Sequence, residues 1–495
     1  MANEYLYGAH GHLGKTVAQN AVQSGTIVVY VGTAPVNLIR GYAQENVVNY
    51  PVKLVNYPNA QKTLGYSSDW MSFSLCEAVS AHFNNAKGNI GPIYVINVLD
   101  PDIHRKKETT DQSLVFSNGQ AMIQSDKIIL DTLALENLAE NIDYQIDYDF
   151  MRGMVMIKSI GDNILSGAIA ASYYEVDTAA IDEACIVGGA TGNGEYSGLG
   201  ALQLLYQEKY QVCNLLVVPG WSERPAVYKA MCTAADQING HWDAFVLADI
   251  PVMDENDTQI ASIAEAKRWK QAHGYDAERS KVFWPKGKDS TGLVYHLSTL
   301  AAVEFLRTDF SHASIPMETC GNKEIPIIGQ FFGIGSANRG FDQTTAKELT
   351  SCGISTCVFW GGNWVLWGDH TAAYTYGADV DARAIFDVSM RMLFYITNSF
   401  QREWGVTIDS VFDKQLRDRI LNKEQEKLDA LAAKGALIGH PEIMFLESEN
   451  STVNMMNGDF RWDIAVTPTP PLKSATAYVS YTDKGFVSYF KDNKE

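Results

Sequence analysis

The residues most suggestive of chemistry form a glycine-rich run, Gly188-Gly-Ala-Thr-Gly-Asn-Gly-Glu-Tyr-Ser-Gly-Leu-Gly200, between a predicted strand at residues 186–189 and a helix. Backbone N–H groups in such a loop can cradle a phosphate group. The spacing does not fit, because Gly192, Gly194 and Gly198 give G-x-G-x-x-x-G, one residue longer than the dinucleotide fingerprint, and no Gly-Lys-Ser/Thr follows. The next predicted strand ends in Pro-Gly rather than in an acidic, ribose-binding residue. The sequence therefore disfavours a nucleotide site.

Other candidate catalytic residues also lack a complete arrangement. Trp367-Gly-Asp-His370 contains an acid next to a base, but adjacent side chains in a strand or helix point to different sides, and no nucleophile motif accompanies them. Gly333-Ile-Gly-Ser-Ala is not the G-x-S-x-G nucleophile motif. Asp254, Glu255 and Asp257 follow Pro251 and indicate a solvated turn. We therefore predict a protein that is not an enzyme and that holds no cofactor.

The seven cysteines are scattered along the chain, and most lie in apolar runs. The only close pair, Cys352 and Cys357, has no second pair and no His-x-x-x-His to complete a zinc site. This pattern predicts ordinary buried thiols in a reducing compartment and no metal site. The cysteines are Cys76, Cys185, Cys213, Cys232, Cys320, Cys352 and Cys357.

An aromatic run at residues 359–367, Phe-Trp-Gly-Gly-Asn-Trp-Val-Leu-Trp, raises the possibility of a sugar-binding platform. Aromatic side chains at this density are more typical of a packed interior, where they bury large apolar areas. We therefore expect a packed corner at these residues.

Composition excludes several classes of function. The chain has 495 residues, which predicts two to four domains. The 58 acidic residues outnumber the 39 basic ones, and a net charge of −19 argues against a nucleic-acid surface. No apolar run reaches the roughly 20 residues that span a bilayer, and the N-terminus lacks the pattern of a signal peptide. The expectation is a soluble chain made in the cytoplasm, with no nucleic-acid partner and no direct membrane insertion.

Strand and helix patterns alternate in two parts of the chain. An apolar strand at residues 26–32 precedes an amphipathic helix at 69–83, with Asp69 as the predicted N-cap, and a buried strand at 93–99. The same alternation resumes at 186–189 and predicts a parallel sheet with covering helices. Later predicted strands and helices lie at residues 214–218, 226–238, 242–249, 258–273 and 293–305.

The sequence between these two parts has a different pattern. Residues 111–176 alternate apolar and polar side chains in short segments separated by turn residues. Several short strands at this spacing are typical of a small β-sandwich. This segment therefore predicts a domain inserted into the α/β core.

The C-terminal part predicts two helices, at residues 381–404 and 412–434, and Gly435 suits the position after the second. Two strands are predicted to follow, at residues 442–446 and 460–466. A proline-rich stretch then leads into an aromatic strand at residues 476–481.

Several stretches resemble the contractile tail sheath family. Thr26-Ile-Val-Val-Tyr-Val-Gly-Thr-Ala-Pro, Tyr94-Val-Ile-Asn-Val-Leu and Asn214-Leu-Leu-Val-Val-Pro-Gly-Trp are similar to strands of the sheath core. The most specific similarity is C-terminal, from Asp381-Ala-Arg-Ala-Ile-Phe-Asp to Phe460-Arg-Trp-Asp-Ile-Ala-Val-Thr-Pro-Thr-Pro-Pro. Two features depart from the family pattern: Asp-His in Trp367-Gly-Asp-His-Thr, and the absence of a Pro-Gly-Val-Tyr type of opening.

This resemblance implies an α/β core with an inserted small β-sandwich domain, an α+β C-terminal domain, and extended terminal arms that add strands to neighbouring subunits. The implied division is 1–22 for an N-terminal linking arm, 23–105 and 180–370 for the discontinuous core, 106–179 for the insertion, 371–473 for the tube-facing C-terminal domain, and 474–495 for a C-terminal linking arm.

The resemblance also implies a mechanical function. Subunits would polymerise around an inner tail tube protein, as stacked hexameric rings or a helical lattice, and contract to drive the tube through a cell envelope. Further implied partners are baseplate and tail terminator proteins, and the implied location is a virion tail or tail-like particle assembled in the host cytoplasm. A nucleotide-binding α/β enzyme and a non-contractile shell or receptor-binding protein are the alternatives.

Two sets of residues follow from the resemblance. The helix at 412–434 is expected to contact the tube through four basic side chains, although its many acidic neighbours are equally typical of a solvated helix with i,i+4 ion pairs. The basic set is Lys414, Arg417, Arg419 and Lys423. The set expected to exchange strands between subunits is Tyr5, Leu6, Tyr7, Val17, Val22, Tyr478, Val479, Tyr481, Phe486 and Val487.

Overall fold

A computed structural model describes residues 22–160 and 164–491. The first part of the α/β core has the strand–helix–strand order that the sequence predicts, because its apolar runs are buried on both sides. Its elements are β1 (Val22–Gly32), β2 (Pro51–Leu54), α1 (Tyr57–Leu64), α2 (Leu75–Phe83) and β3 (Ile90–Asn97), with 3₁₀ turns at Val36–Leu38 and Tyr42–Gln44. Every residue of β3 is buried.

The chain then enters the insertion, which contains two three-stranded antiparallel sheets that enclose a separate apolar core. Its strands are β4 (Thr110–Phe116), β5 (Gln120–Ile123), β6 (Ala134–Leu135), β7 (Tyr144–Asp149), β8 (Met154–Ser159) and β9 (Gly167–Tyr173). Arg40 of the core reaches into the insertion and donates to Glu140 at 2.6 Å. The Asn37 amide donates to the carbonyls of Asp126 and Ile128 at 3.0 and 2.9 Å. These contacts fasten the insertion to the loop after β1.

The second part of the core completes the sheet. Its elements are α3 (Glu183–Val187), β10 (Gly189–Ala190), β11 (Tyr196–Ser197), α4 (Leu204–Lys209), β12 (Leu215–Val217), α5 (Pro225–Ala234), β13 (Phe245–Asp249), α6 (Ile263–His273), β14 (Ser280–Phe283), β15 (Lys286–Lys288), β16 (Val294–Tyr295), α7 (Leu297–Ser311), β17 (Gly329–Phe331), α8 (Gln343–Thr350), β18 (Ile354–Trp360) and β19 (Asn363–Trp367). The eight-stranded sheet has the order β19-β18-β14-β13-β12-β1-β3-β2. Six central strands are parallel, and the edge strands β2 and β19 are antiparallel to their neighbours.

The C-terminal part is built on two long helices with an apolar core of their own. Its elements are α9 (Asp387–Trp404), α10 (Lys414–Ala433), β20 (Glu442–Met444), α11 (Thr452–Asn457), β21 (Asp463–Ala465) and α12 (Lys484–Lys491). The Asp413 side chain caps α10 by accepting from the Leu416 N–H, and Gly435 follows the helix with a φ of 80°. This capping agrees with the predicted helix.

The α/β character predicted from the sequence is confirmed, but several elements differ. The predicted strand at 186–189 is wrong, because Asp182 caps a short helix there. Helix α2 begins at Leu75, since Ser74 and Thr33 exchange hydrogen bonds. Asp69, the predicted N-cap, accepts from the Ser72 N–H within a turn. Among the helices that the structure describes, none has both the length and the apolar character required to cross a membrane.

The aromatic run at residues 359–367 also differs from the expected packed corner. It forms the β18–β19 hairpin at the edge of the large sheet, so one end of it faces solvent. Phe359 and Trp360 are 57% and 50% exposed, whereas a packed corner was expected. The Gly361-Gly362 turn has positive φ values of 64° and 93°, and such a turn brings both strands to an exposed tip.

Candidate assembly surface

In the glycine-rich run of residues 188–200, the backbone at its start packs directly against the backbone near its end. Strands β10 and β11 pair as a hairpin within it. A Cβ on Gly188 would lie 2.0 Å from the Ser197 carbonyl oxygen, and one on Gly198 would lie 2.3 Å from that of Ile186. The glycines therefore permit close packing of backbone on backbone, which accounts for a spacing that does not match a phosphate loop.

A buried polar cluster, which the sequence reasoning missed, lies at the carboxyl ends of β12, β13 and β14. The His296 ring donates through Nδ1 to Glu77 Oε2 at 2.7 Å, and the His296 backbone N–H donates to Glu77 Oε1 at 2.7 Å. The Lys286 ammonium lies 3.0 Å from Glu223 Oε1, which is 3.7 Å from His296 Nε2. Asp249 accepts from the Ser298 N–H at 3.0 Å. Open α/β sheets often bind ligands at such a position, and here the charged side chains of the cluster pair with one another.

The charges of this cluster stabilise one another. Burial alone would lower the pKa of His296, but Glu77 and Glu223 outweigh it and raise the pKa to about 10. Burial alone would raise the pKa of Glu223, but Lys286 and His296 outweigh it and lower the pKa to about 2. Burial raises the pKa of Asp249 to about 6.

The serines of this cluster do not form a nucleophile arrangement. The Ser298 hydroxyl donates to Asp249 Oδ2, and the Ser222 hydroxyl accepts from the Asp249 N–H at 3.1 Å. Neither hydroxyl has a hydrogen bond to His296, the contact that a Ser–His nucleophile requires. The contacts of the cluster connect α2, the start of α7 and the carboxyl ends of the strands, which is a structural role.

The remaining candidates for chemistry have structural roles. The His370 ring stacks on Tyr374 with centroids 3.5 Å apart and lies 2.9 Å through Nδ1 from the Ile385 carbonyl. Burial lowers the pKa of His370 to about 4. Asp254 accepts from two backbone N–H groups of its own turn. In the described part of the chain no group of three or more His, Cys, Asp or Glu side chains could hold a metal ion, and the seven cysteines are free.

The C-terminal part contains a small sheet of two strands. Strands β20 and β21 pair with Ile443 opposite Ile464, and within residues 22–160 and 164–491 no third strand joins them. An aromatic cluster supports one side, with Phe412 stacked on Phe460 at 3.7 Å and Trp462 beside them. An isolated two-stranded ribbon is marginally stable in water, so this sheet depends on the helices beneath it or on further strands.

The chain after β21 runs across solvent. Tyr478, Val479 and Tyr481 are 93%, 94% and 85% exposed. No strand forms at the predicted residues 476–481, and α12 follows, with the Phe486 side chain 59% exposed and Val487 within the helix. The predicted strand is therefore absent from the single chain, and residues 484–491 are helical rather than extended.

For the N-terminal residues expected to exchange strands, the structure describes Val22 alone. Tyr5, Leu6, Tyr7 and Val17 lie outside the described residues. Val22 begins β1 and pairs with Ile90 of β3 in the same chain, so it does not belong to a free arm.

The four basic residues expected to contact the tube do not form one surface. Arg419 and Lys423 are exposed and lie one helical turn apart on α10, whereas Lys414 is turned about 140° from Arg419. Arg417 is half-buried and donates to Asp418 at 2.7 Å. Lys423 pairs with Glu403 of α9. Arg419 has no ion pair with any residue that the structure describes.

Two curated proteins are similar to this chain along much of its length. The tail sheath protein of Burkholderia phage BcepMu is 23% identical over 506 aligned positions, which cover 98% of this chain and 98% of that protein. A prophage major tail sheath protein of Pseudomonas aeruginosa strain UCBPP-PA14 is 23% identical over 322 positions, covering 64% of this chain and 77% of that protein. This chain is a homologue of tail sheath proteins.

Solved structures agree with this homology at the level of fold. The anti-feeding prophage baseplate contains a chain that matches this one with a TM-score of 0.56 and 12% identity, over 97% of this chain and 99% of that one. The PVC sheath complex of an extracellular contractile injection system, in its contracted state, gives a TM-score of 0.54 and 11% identity, over 98% and 100%. No family model matches the sequence.

The sequence indicates the candidate assembly residues better than it indicates the buried polar cluster. The aromatic residues at 478–481 were recognisable because an exposed apolar strand needs a partner. The polar cluster was not, because Glu77, Glu223 and His296 are far apart in the sequence. Its one local signal is a charged residue within an apolar helix, Glu77 in Leu-Cys-Glu-Ala-Val.

Proposed function

We propose that this sheath subunit polymerises around an inner tube in an extended lattice and contracts to drive the tube through a target cell envelope. The observation that carries the proposal is the end-to-end similarity to a phage tail sheath protein, which covers 98% of both chains. A fold shared with a sheath complex in a contracted state adds support.

Strand exchange is the proposed means of polymerisation. Among the residues that the structure describes, the sheet of β20 and β21 contains two strands, and its outer edges are therefore open for strand addition. Residues 476–481 combine exposure with a strand-forming aromatic sequence. Strand addition uses the backbone of one chain to complete the sheet of another, at about 1 kcal/mol net for each hydrogen bond. We propose that residues 474–482 of one copy pair with β20 or β21 of a neighbour.

Contraction needs no nucleotide in this mechanism. The same subunits would pack in two lattices of different free energy, and a signal from the baseplate would release the less stable one. The close backbone packing at residues 188–200 and the ion pairs around His296 are contacts within the chain, in keeping with a mechanism that depends on packing rather than on a bound nucleotide.

Electron microscopy of the recombinant chain tests this proposal. We expect tubular polymers or stacked rings from the full chain, alone or with its tube protein. A version lacking residues 1–21 should form no polymers, because it loses the segment proposed to bind a neighbouring copy. It keeps β1 and should therefore still fold. As a control for folding, the thermal unfolding temperature of both proteins is measured, and the two temperatures should be equal. Single dispersed chains under every condition, with the tube protein included, would contradict the proposal.

Tube contact through α10 gives a second prediction, centred on Arg419 because this side chain is exposed and has no ion pair among the described residues. Arg419→Glu should prevent assembly around tubes and leave the unfolding temperature unchanged. Lys347→Glu on α8 is the matched control, since that side chain is also exposed and basic. The difference between the two variants should shrink at high salt, which screens exposed charges. Normal sheathed tubes from Arg419→Glu would refute a tube contact at this residue.

A further inference from the structure

The beginning of β1 is irregular and held by side chains. The pairing of β1 with β3 shifts register between Gln23 and Val28. Within that interval the Gly25 N–H donates to Ser314 Oγ at 2.9 Å, and the Ile27 N–H donates to Asn214 Oδ1 at 2.8 Å. These contacts fix the backbone where the ladder to β3 is interrupted, as expected of a bulge with a defined role.

Gly25 and the turn after α7 are packed closely against each other. A Cβ on Gly25 would lie 2.7 Å from Ser314 Oγ, so only glycine permits the contact. Ala313 and Ser314 both have positive φ values, 56° and 63°, which non-glycine residues rarely adopt. The turn after α7 is thus held in an uncommon conformation that brings Ser314 to the root of β1.

Asp309 is the central group of this arrangement. The Thr26 hydroxyl donates to Asp309 Oδ2 at 2.7 Å. The Arg391 guanidinium of α9 donates to both oxygens of the same carboxylate, at 3.3 Å to Oδ1. The Asp309 and Arg391 side chains are 0% and 4% exposed, and Arg391 also lies 4.2 Å from the Phe305 ring. One buried carboxylate therefore joins β1, α7 and α9.

Helix α9 continues from Arg391 into the C-terminal core. Met392 and Ile396 pack with Leu428 and Leu431 of α10, and Ile443 of β20 belongs to the same cluster. The contacts thus run without a break from the root of β1 to the sheet proposed to receive a neighbour's strand.

We infer that Asp309 transmits force between the segment that precedes β1 and the C-terminal domain. The inference rests on the proposed function, because such force arises only if residues before Val22 bind a neighbouring copy. A pull on those residues reaches Thr26 first, passes through Asp309 to Arg391, and moves α9 together with β20 and β21. The first residues of β1 would then keep their position relative to both domains, and the core and the C-terminal domain would move together.

Hydrogen exchange of the unassembled full chain tests the coupling, so the result does not depend on polymerisation. Thr26→Val removes the hydroxyl and keeps the side-chain shape. We expect amide exchange in the first two turns of α9 to become at least tenfold faster, because Asp309 links the Thr26 hydroxyl to Arg391 of that helix. Arg391→Met should accelerate exchange at residues 25–28 by a similar factor. Exchange accelerated only in the element that carries each substitution would overturn the inference.

Two further variants keep the experiment decisive. Thr299→Val is the matched control, because Thr299 is a buried threonine of α7 whose hydroxyl has no hydrogen-bond partner among the described residues. It should leave exchange in both segments unchanged. Thr26→Ser retains the donor and should restore slow exchange in α9, which would separate the hydrogen bond from a packing effect. If polymers fail to form while these results hold, the proposed function is wrong and the coupling through Asp309 stands.

Discussion

Replacing Lys281 by methionine should lower the free energy of unfolding by about 3–5 kcal/mol, a large share of the stability of a domain. The Lys281 ammonium lies 2.6 Å from Asp387 Oδ2, and both side chains are completely buried. Burial alone would lower the pKa of Lys281, but the charge of Asp387 outweighs it and raises the pKa. Removing the ammonium leaves the Asp387 carboxylate in the interior with only neutral donors such as Thr319. Urea unfolding of the variant and the parent chain measures the difference.

The matched control is Lys106→Met, which removes a lysine 2.6 Å from Glu175 at the surface, where the lysine side chain is 53% exposed. Water solvates the remaining carboxylate there, so the expected loss is at most about 1 kcal/mol. Lys281→Met combined with Asp387→Leu removes both buried charges and should recover most of the lost stability. A loss below 1 kcal/mol for Lys281→Met alone would contradict the argument.

The location of this ion pair connects stability with the proposed movement. Lys281 lies on β14 and Asp387 begins α9, so the pair fixes the helix on the core sheet. One turn later Arg391 pairs with Asp309 of α7, which fixes α9 on that helix. Asn398 adds two hydrogen bonds to the backbone of Asp243. With these ties intact, a contraction would move the core and C-terminal domain as one body, and the change between lattices would occur at contacts between subunits.

The fold could be predicted where a local pattern dictates burial. Strands β1, β3, β12 and β13 are apolar runs, and such runs can be satisfied only inside a covered parallel sheet. Helices α9 and α10 show helical periodicity, and Asp413 and Gly435 mark the limits of the second. The alternating segments of the insertion likewise follow from a strand period of two.

The errors arose where distant contacts decide the local structure. Ile186 and Val187 have strand-forming side chains, yet the Asp182 cap and the close approach of Ser197 to Gly188 select a helix that ends at Val187. The partners of Glu77, Asp309 and Asp387 come from other elements, so no sequence window reveals them. For the assembly surface, exposed aromatic residues could be recognised from the sequence, but the partner that would cover them is another chain.

The C-terminal segment gives the prediction with the largest effect on assembly. In an extended strand Val479 and Tyr481 lie on the same face, and in the single chain they are 94% and 85% exposed. Val479→Asp combined with Tyr481→Asp should abolish polymers, because strand addition would bury two carboxylates without partners in every subunit. The measurement is electron microscopy of the assembled protein together with thermal unfolding of the single chain.

The single chain should be unaffected by the same pair of changes. Substitution of highly exposed side chains alters the free energy of unfolding by about 0.5 kcal/mol or less. Met71→Asp with Met151→Asp is the matched control, since those side chains are 98% and 97% exposed and lie outside the C-terminal segment. This control should polymerise as the parent chain does.

The two outcomes lead to different structures of the lattice. Loss of polymers from the C-terminal variant alone would indicate that the exposed segment is covered by a neighbour, and that the two-stranded sheet of β20 and β21 is completed only in the assembly. Polymers that persist with both aspartates would exclude burial of this face, because a lattice cannot conceal two unpaired charges per subunit without a large loss of affinity. The subunits would then be joined by other contacts, among them the segment that precedes β1, and β20 and β21 would remain a two-stranded ribbon packed on α10 and on Phe412 and Trp462.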